Sequence, residues 1–356
     1  MDASDRRHDE LDPPPTNHEE QIVMAAVHPV TLRKYLLPTP PVERASERAV
    51  SRIGRRRACC AFAGTPRFGK SSALSYFEAD IRDQLPNALV LPIIGQKANA
   101  KGPGAFSNLL YEMDGGPPFR RSECGDPLLR VVRRFAARAY EARADQLVFL
   151  VDELPRLSVD ELTTMADVLN KLVKLEGLPC TVVSFGTEQM NHLKSALQIT
   201  KRGDLVGRFL AGLTSFDGIA SQIEAVTVME QFDDPLIADY PRGSGWSFSR
   251  FFCPCAFANG WRFSSEAGRC WNAFRAAALV SSPSGVEGLQ VGADYFMAAV
   301  EYMLTLSMDF HTLEPVFKSW DDAVSESGFI DSLDETYEVG NVAVPPAVPP
   351  KNGAEE

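Results

Sequence analysis

The sequence predicts an α/β fold, in which a parallel β-sheet carries helices on both faces and is followed by a small α-helical lid domain. Short apolar segments alternate with helical segments as far as about residue 216. This alternation is typical of a parallel sheet that is buried on both sides. After Asp217 the strand pattern fades and only helical segments follow.

The elements follow one another in a regular order along the chain. We expect strands at 58–64, 88–95, 146–152, 180–186 and about 211–216. Helices between them are predicted at about 71–85, 105–113, 127–144, 159–176 and 188–197, and the later helices at 219–232, 264–281 and 291–308. The helix at 159 is preceded by Ser158-Val-Asp-Glu161, which fits a capping box.

Composition suggests four regions. Residues 1–27 are charged and proline-rich, and we expect a disordered tail there. The α/β domain is expected at 28–232, and the helical lid at 233–310 with an aromatic-rich insertion at 241–262. Residues 311–356 are expected to form an acidic, proline-containing tail, which is either solvated or a PxxP ligand.

The charge is distributed unevenly. The whole chain has a net charge of −11, which by itself disfavours a general nucleic-acid binder. Residues 1–208 carry 29 basic and 26 acidic residues, whereas residues 209–356 carry 7 basic and 21 acidic residues. Local basic patches therefore matter more than the total.

Targeting and cysteine content favour the cytoplasm. No apolar segment reaches the roughly 20 residues that span a bilayer. The charged start of the chain lacks the apolar core of a secretory signal. Seven cysteines and five histidines show no metal-ligand spacing, which indicates ordinary reduced thiols.

The strongest motif is a glycine loop between the first strand and its helix. It matches G-x-x-x-x-G-K-[ST], in which backbone N–H groups and a helix N-terminus surround phosphates. The lysine is expected to reach the β- and γ-phosphates of ATP, and the serine to bind Mg²⁺. The predicted nucleotide-binding residues are Gly64, Thr65, Pro66, Arg67, Phe68, Gly69, Lys70 and Ser71.

The third strand supplies the second half of the predicted site. Leu147-Val-Phe-Leu-Val is a buried strand that ends in Asp152 and Glu153. The carboxyl ends of strands form the edge at which open α/β sheets bind ligands. We expect Asp152 to hold Mg²⁺ through water and Glu153 to orient and polarise the attacking water.

Adjacent Asp-Glu after this strand, together with the glycine loop, resembles the AAA+ ATPases. The resemblance implies a polar residue at the end of the fourth strand that senses the γ-phosphate, either Ser184 or Thr187. It also implies an arginine that reaches a neighbouring subunit's nucleotide, for which Arg208 is placed, and a lid arginine acting in cis, for which Arg269 is the candidate. The other reading of both arginines is an ordinary surface residue.

Shorter segments narrow the resemblance. Six short segments after the fourth strand are similar to the TniB/TnsC-type transposition ATPases. They are Phe185-Gly-Thr187-Glu188, Gly207-Arg208-Phe209, Leu213-Thr-Ser-Phe216-Asp, Val228-Met-Glu-Gln-Phe-Asp233-Asp, Ser264-Ser-Glu-Ala-Gly268 and Ala293-Asp-Tyr-Phe-Met-Ala. The likeness covers roughly residues 30–310. It implies an ATP-dependent ring or filament on double-stranded DNA and control of a transposase or of target-site selection.

A basic stretch gives independent support for DNA binding. Residues 97–138 contain eight basic and four acidic residues. Lys97 and Lys101 follow the second strand, where the loops of the resembled family line a central channel, and are the predicted DNA contacts. A solvated basic helix face is the other reading. Nothing resembles a base-reading motif, so little sequence preference is expected.

Two other functions stay open on the sequence. One is a different AAA+ ATPase, either initiator-like or defence-associated. The other is a nucleotide-gated scaffold with negligible turnover. The complete set of Lys70, Asp152 and Glu153 disfavours the scaffold.

Overall fold

The computed structural model describes residues 13–99, 103–116, 126–281, 288–315 and 319–333. In these ranges five parallel strands form one sheet in the spatial order β2–β3–β4–β1–β5. The strands are β1 (Cys59–Ala63), β2 (Ala88–Ile94), β3 (Gln146–Asp152), β4 (Cys180–Gly186) and β5 (Thr214–Ser215). The predicted parallel α/β sheet is confirmed.

The helices of the α/β part connect these strands. They are α3 (Pro40–Gly54), α4 (Lys70–Gln84), α5 (Pro103–Met113), α6 (Pro127–Glu141), α7 (Val159–Glu176), α8 (Gln189–Ile199) and the single turn α9 (Gly203–Leu205). The capping box at the start of α7 is present, with Ser158 and Glu161 bonding each other's backbone N–H.

Sheet side chains alternate between two helical layers. Phe62 and Leu150 belong to the core that includes α3 and α4. Ala61 and Val151 belong to the opposite core, which includes α5 to α8. Because successive strand residues point to opposite faces, Asp152 follows Leu150 toward the α4 face. This alternation decides which polar side chains can meet the glycine loop.

The remaining helices form a third core, which is rich in aromatic side chains. They are α1 (His18–Ala25), α2 (Pro29–Leu32), α10 (Gln222–Asp233), α11 (Phe248–Phe252), α12 (Pro254–Ala258), α13 (Ala267–Ser281), α14 (Ala293–Leu306) and α15 (Trp320–Glu326). Phe232, Phe251, Phe263, Phe274 and Phe296 are fully buried in it.

The start of the chain corrects one prediction. Residues 18–25 form α1 instead of belonging to a disordered tail, and residues 1–12 lie outside the described part. Gln21 is buried and donates to the carbonyl oxygens of Phe251 (2.7 Å) and Phe252 (3.1 Å). Composition missed this helix because a few side chains anchor it while its charges face water.

Two other segments also belong to the helical core. The stretch 241–262, predicted as an aromatic-rich insertion, forms α11 and α12, and its phenylalanines pack against α10 in this core. Trp320 of α15 is 6% exposed and donates to Glu266 Oε2 at 3.3 Å, so the expected tail from 311 begins with packed structure. Residues 334–356 lie outside the described part.

The fifth strand is shorter than predicted. Only Thr214 and Ser215 pair with β1, opposite Phe62 and Ala63. Residues 211–213, which were predicted as strand, instead form a turn and a short connection after the π-helical turn Val206–Leu210. In the described residues no helix has both the length and the apolarity to cross a membrane.

Candidate functional site

The loop between β1 and α4 is held tightly at both ends. Gly64 N donates to Gly186 O at 3.0 Å, and a Cβ on Gly64 would lie 2.7 Å from Phe216 O. Gly69 has φ 84° and directly precedes α4, a conformation that favours glycine. The glycines of the motif therefore stand where the backbone leaves no room or requires a positive φ.

Lys70 opens α4 and turns its side chain into the loop. Its Nζ donates to Gly64 O (3.0 Å) and Thr65 O (2.8 Å), and the residue is only 7% exposed. Burial lowers the pKa of this ammonium, and the nearby carboxylates of Glu153, Asp152 and Asp294 oppose that shift. The cation is thus placed inside a ring of loop backbone, where phosphates would bind.

Ser71 and Asp152 join the two predicted halves of the site. Ser71 Oγ donates to Asp152 Oδ2 at 3.0 Å, and Asp152 Oδ1 is buried without a hydrogen-bond partner among the described residues. A hydroxyl beside a carboxylate with a spare oxygen suits Mg²⁺ that is shared with a nucleotide's phosphates. The described ranges hold no group of three or more His, Cys, Asp or Glu that would bind a metal unaided.

Glu153 adopts a left-handed backbone conformation, with φ 53° and ψ 49°. Gly95, directly after β2, donates its N–H to Asp152 O at 2.7 Å. A Cβ on Gly95 would lie 2.3 Å from Glu153 O. The backbone of Asp152 and Glu153 therefore packs directly against Gly95. Strained backbone conformations such as that of Glu153 are common at functional sites.

The helical domain reaches the site through the start of α14. Asp294 N donates to Arg67 O at 3.1 Å, and Ala293 Cβ would lie 3.2 Å from a Cβ on Gly69. Burial raises the pKa of Asp294, while Arg67, Arg33 and Lys70 oppose the shift. The helical residue beside the glycine loop is thus a carboxylate, which the sequence reasoning missed. Its only sequence signal is an aspartate in the first turn of a helix.

A cavity of about 330 Å³ lies beside the loop. Its walls come from residues 33–42, from Ser72, Ala73 and Tyr76 of α4, and from the first half of α14. Glu301 binds Arg33 Nε at 2.8 Å and Tyr35 Oη at 2.5 Å, which closes one side. The size suits a nucleoside. No motif marks these residues, because the pocket forms only when three distant segments meet.

Of the two predicted sensors, the structure brings only Thr187 toward the site. Ser184 pairs in register with Ala61 and Val151, both of which face the α5–α8 layer, so its buried Oγ lies on the side away from α4. Thr187 is half-buried just beyond β4, one residue after the carbonyl that holds Gly64. The alternation of strand side chains thus removes Ser184 from the candidate site.

The two predicted arginines lie away from this chain's glycine loop. Arg208 donates to Asn170 Oδ1 of α7 at 2.5 Å, and its charge acts on Cys59 and Cys180 at the first residues of β1 and β4. It therefore lies near the opposite edge of the sheet. Arg269 has a 73% exposed side chain and pairs with Glu266 at 3.3 Å. The lid position expected for it is taken by Asp294.

The predicted DNA-contacting region is only partly described. Lys97 is exposed after β2, whereas Lys101 lies outside the described residues. Arg134 and Arg138 of α6 both pair with Asp114, whose side chain is 4% exposed. Part of the basic stretch is thus engaged within the protein.

Comparison with known proteins adds to the fold. No protein-family model and no curated protein matches the chain. Among solved structures it is similar to the ORC2 protein of Aeropyrum pernix in its ADPNP–ADP complexes, with 12% identity, 88% of this chain and 74% of that chain covered, and a TM-score of 0.51.

Two further similarities have lower scores. The ADP form of the same protein has 14% identity, 87% and 73% coverage and a TM-score of 0.44. Cdc6p from Pyrobaculum aerophilum has 12% identity, 84% and 86% coverage and a TM-score of 0.39. The first similarity, with the strand order and the glycine loop after β1, establishes the AAA+ P-loop fold.

Proposed function

We propose that the chain binds ATP with Mg²⁺ and hydrolyses it to ADP and phosphate. The hydrogen bond between Ser71 and Asp152 carries this proposal, because it brings the glycine loop and the end of β3 to one point. The likeness to a protein solved with ADPNP and ADP supports a nucleotide at this loop.

Each residue of the site has a role set by its place. Lys70 and the N–H groups of the loop bind phosphate oxygens, while Ser71 and Asp152 hold Mg²⁺ and its water. When bound, Mg²⁺ supplies charge that stabilises the phosphoryl oxygens. Glu153 orients the attacking water and accepts its proton. Thr187 contacts the terminal phosphate from β4, and residues 33–42 surround the base.

We also propose that ATP drives self-assembly on double-stranded DNA, in the service of a transposase or of target-site selection. The support is the TniB/TnsC-like pattern around Phe185–Glu188 and Gly207–Phe209. Arg208 acts in trans in this proposal and would exchange Asn170 for a neighbour's phosphate. Lys97 and Lys101 contact the duplex in the assembled state.

An initiator-like role is the second candidate. The fold likeness to the archaeal ORC2 protein favours it over a defence-associated role. A scaffold with negligible turnover is disfavoured by the intact acidic pair.

The test compares wild type with Glu153→Gln in single-turnover hydrolysis and in ATP binding, with and without a random DNA duplex. We expect hydrolysis to fall roughly 10²-fold or more while ATP still binds, because the variant keeps the shape and loses the base. Glu176→Gln, at an exposed position at the end of α7, is the matched control. Equal hydrolysis in Glu153→Gln and wild type would overturn the assigned base. Binding of ATP without DNA binding or assembly would overturn the transposition and initiator roles together.

A further inference from the structure

The amino ends of the strands, opposite the glycine loop, carry a cluster of arginines. Four loops precede β1, β2, β3 and β4, at 55–58, 85–87, 142–145 and 177–179. They contain four arginines and one acidic residue, on a chain whose net charge is −11. The helices that lead into two of these loops end in the exposed carboxylates Glu141 and Glu176. The four arginines are Arg55, Arg56, Arg57 and Arg143, and we refer to them as the arginine edge.

These loops lie next to one another. Val182 N donates to Ala58 O at 2.9 Å and Thr181 Oγ1 to Arg57 O at 2.8 Å, which joins the start of β4 to the start of β1. Arg56 Nη2 binds Asp145 Oδ2 at 3.1 Å, which reaches from the loop before β1 to the loop before β3. The arginines therefore form one surface although 88 residues of sequence separate the first from the last.

Most of the positive charge of this surface is not neutralised by ion pairs among the described residues. Arg55, Arg57 and Arg143 are exposed and have no hydrogen-bonding or ionic side-chain partner among the described residues. In the ion pair that joins Arg56 and Asp145 both side chains are 53% exposed, and such pairs are weak. The contrast is Arg52, whose Nε donates to Cys59 O at 2.6 Å and so supports the fold.

The backbone gives a second observation. Arg56 has φ 52° and Arg143 has φ 53°, in the left-handed region after a helix where glycine is favoured. An L-residue other than glycine costs about 1 kcal/mol there. At both positions the fold carries this strain together with an exposed guanidinium.

We propose that the arginine edge binds the phosphate backbone of double-stranded DNA. This inference rests on the proposed function, since it adds to the contacts of Lys97 and Lys101 a second surface for the same duplex DNA. Guanidinium groups match phosphate bidentately. One exposed aromatic residue, Tyr140, lies beside these loops, whereas proteins that bind single strands by stacking use several aromatic residues along a groove. The four loops also lack the apolar face of a membrane-binding segment.

The arginine edge lies far from the proposed nucleotide site. A strand of seven residues such as β3 rises about 20 Å, so a duplex bound at the arginine edge would lie at the opposite ends of the strands from the phosphate loop. This surface is distinct from the loop after β2 that carries Lys97. Binding through the arginine edge is therefore expected in the monomer and without nucleotide, although weakly.

The experiment measures the affinity of the full chain for a random 20-base-pair duplex between 50 and 200 mM salt (about the range in which phosphate contacts dominate). The variant is Arg55→Ala/Arg57→Ala, since neither side chain has a partner to lose. Arg242→Ala/Arg275→Ala removes the same charge from exposed sites in the helical domain. Circular dichroism and nucleotide binding check that each variant folds.

We expect the first variant to bind the duplex at least about fivefold more weakly and to lose about two units from the slope of log affinity against log salt. The control should bind like wild type, and Arg55→Lys/Arg57→Lys should keep most of the affinity. If wild type binds duplex and both alanine variants bind equally well, the inference fails while the proposed function stands. If wild type binds no duplex with or without ATP, both fail. Binding to phosphatidylserine vesicles but not to duplex DNA would overturn the inference and indicate that the arginine edge contacts a membrane surface.

Discussion

Gly95 shows how a residue without a functional group controls the candidate site. Its amide binds Asp152 O, and its α-carbon lies against the backbone of Glu153. A methyl group there has no space, since the two carbonyl oxygens lie 2.3 and 2.7 Å from the Cβ position. The acidic pair is thus positioned by β2 as well as by its own strand.

Gly95→Ala should therefore lower ATP hydrolysis by roughly tenfold or more, because it displaces the acidic pair, and should destabilise the fold by about 1–3 kcal/mol. Single-turnover hydrolysis and chemical denaturation measure the two effects. Gly203→Ala is the control, because its Cβ position has nothing within 4 Å and no positive φ. Equal hydrolysis in the two variants would mean that the pair tolerates displacement.

Asp294 brings a negative charge to the loop that is proposed to bind phosphates. We expect Asp294→Asn to bind ATP roughly fivefold more tightly, on the order of 1 kcal/mol, because it removes repulsion between carboxylate and phosphates. ADP, with less charge, should gain less. Titration calorimetry measures both, with the exposed Glu230→Gln of α10 as control.

The pH dependence of this effect follows from the raised pKa of Asp294. The folded protein keeps the Asp294 proton to a higher pH than a free carboxyl would. The advantage of Asp294→Asn should therefore shrink as the pH falls toward that pKa. Weaker ATP binding by the variant would show that the carboxylate instead assists the nucleotide.

At the scale of elements, the segment around α2 packs into the core of the helical domain. His28 caps α2 by accepting from Val30 N at 3.0 Å and lies within 4.3–4.8 Å of the rings of Tyr240, Phe248, Phe251 and Phe252. Burial lowers the pKa of His28 from 6.5 to about 3. Between these values the unfolded chain binds a proton that the folded chain excludes, so stability falls as the pH falls.

From pH 6.5 to 5 the wild type should lose about 2 kcal/mol more stability than His28→Asn, which keeps the cap and removes the titrating ring. Urea denaturation at a series of pH values provides the comparison. His192→Asn, at an exposed position of α8, should follow the wild type. Parallel curves for His28→Asn and wild type would contradict a buried neutral imidazole.

The sequence predicts the elements of the sheet better than those of the helical domain. β3 and β4 have the predicted bounds, because continuous apolar segments next to a glycine loop and an acidic pair leave few alternatives. α1 and α15 were missed because each is short and is fixed by contacts with distant residues, such as Gln21 with Phe251 and Trp320 with Glu266.

The candidate site likewise contains residues that the sequence predicts and residues that it does not. The contacts of Lys70, Ser71 and Asp152 follow from local motifs and could be predicted. Asp294 and the Arg33–Glu301 pair could not, since they depend on how α14 docks against the glycine loop. Ser184 was a wrong candidate for a physical reason, as strand alternation turns it to the other face.

At the scale of the whole molecule, the charges separate by location. The glycine loop and the acidic pair lie at the carboxyl ends of the strands, and the exposed arginines lie at the amino ends. Residues 209–356 are strongly acidic. In the proposed assembly the duplex would lie away from the acidic helical domain. Since each phosphate contact releases counterions, salt should weaken DNA binding while affecting nucleotide binding less.

The most direct test of the account is equilibrium binding of ATP in the presence of Mg²⁺ to wild type, Lys70→Ala and Lys174→Ala. Lys174 is exposed at the end of α7, away from the loop, and controls for lost charge. We expect roughly 10- to 100-fold weaker binding by Lys70→Ala, because a charged hydrogen-bond donor to the phosphates is removed, and unchanged binding by Lys174→Ala. Wild-type affinity in Lys70→Ala would contradict a nucleotide site at this loop.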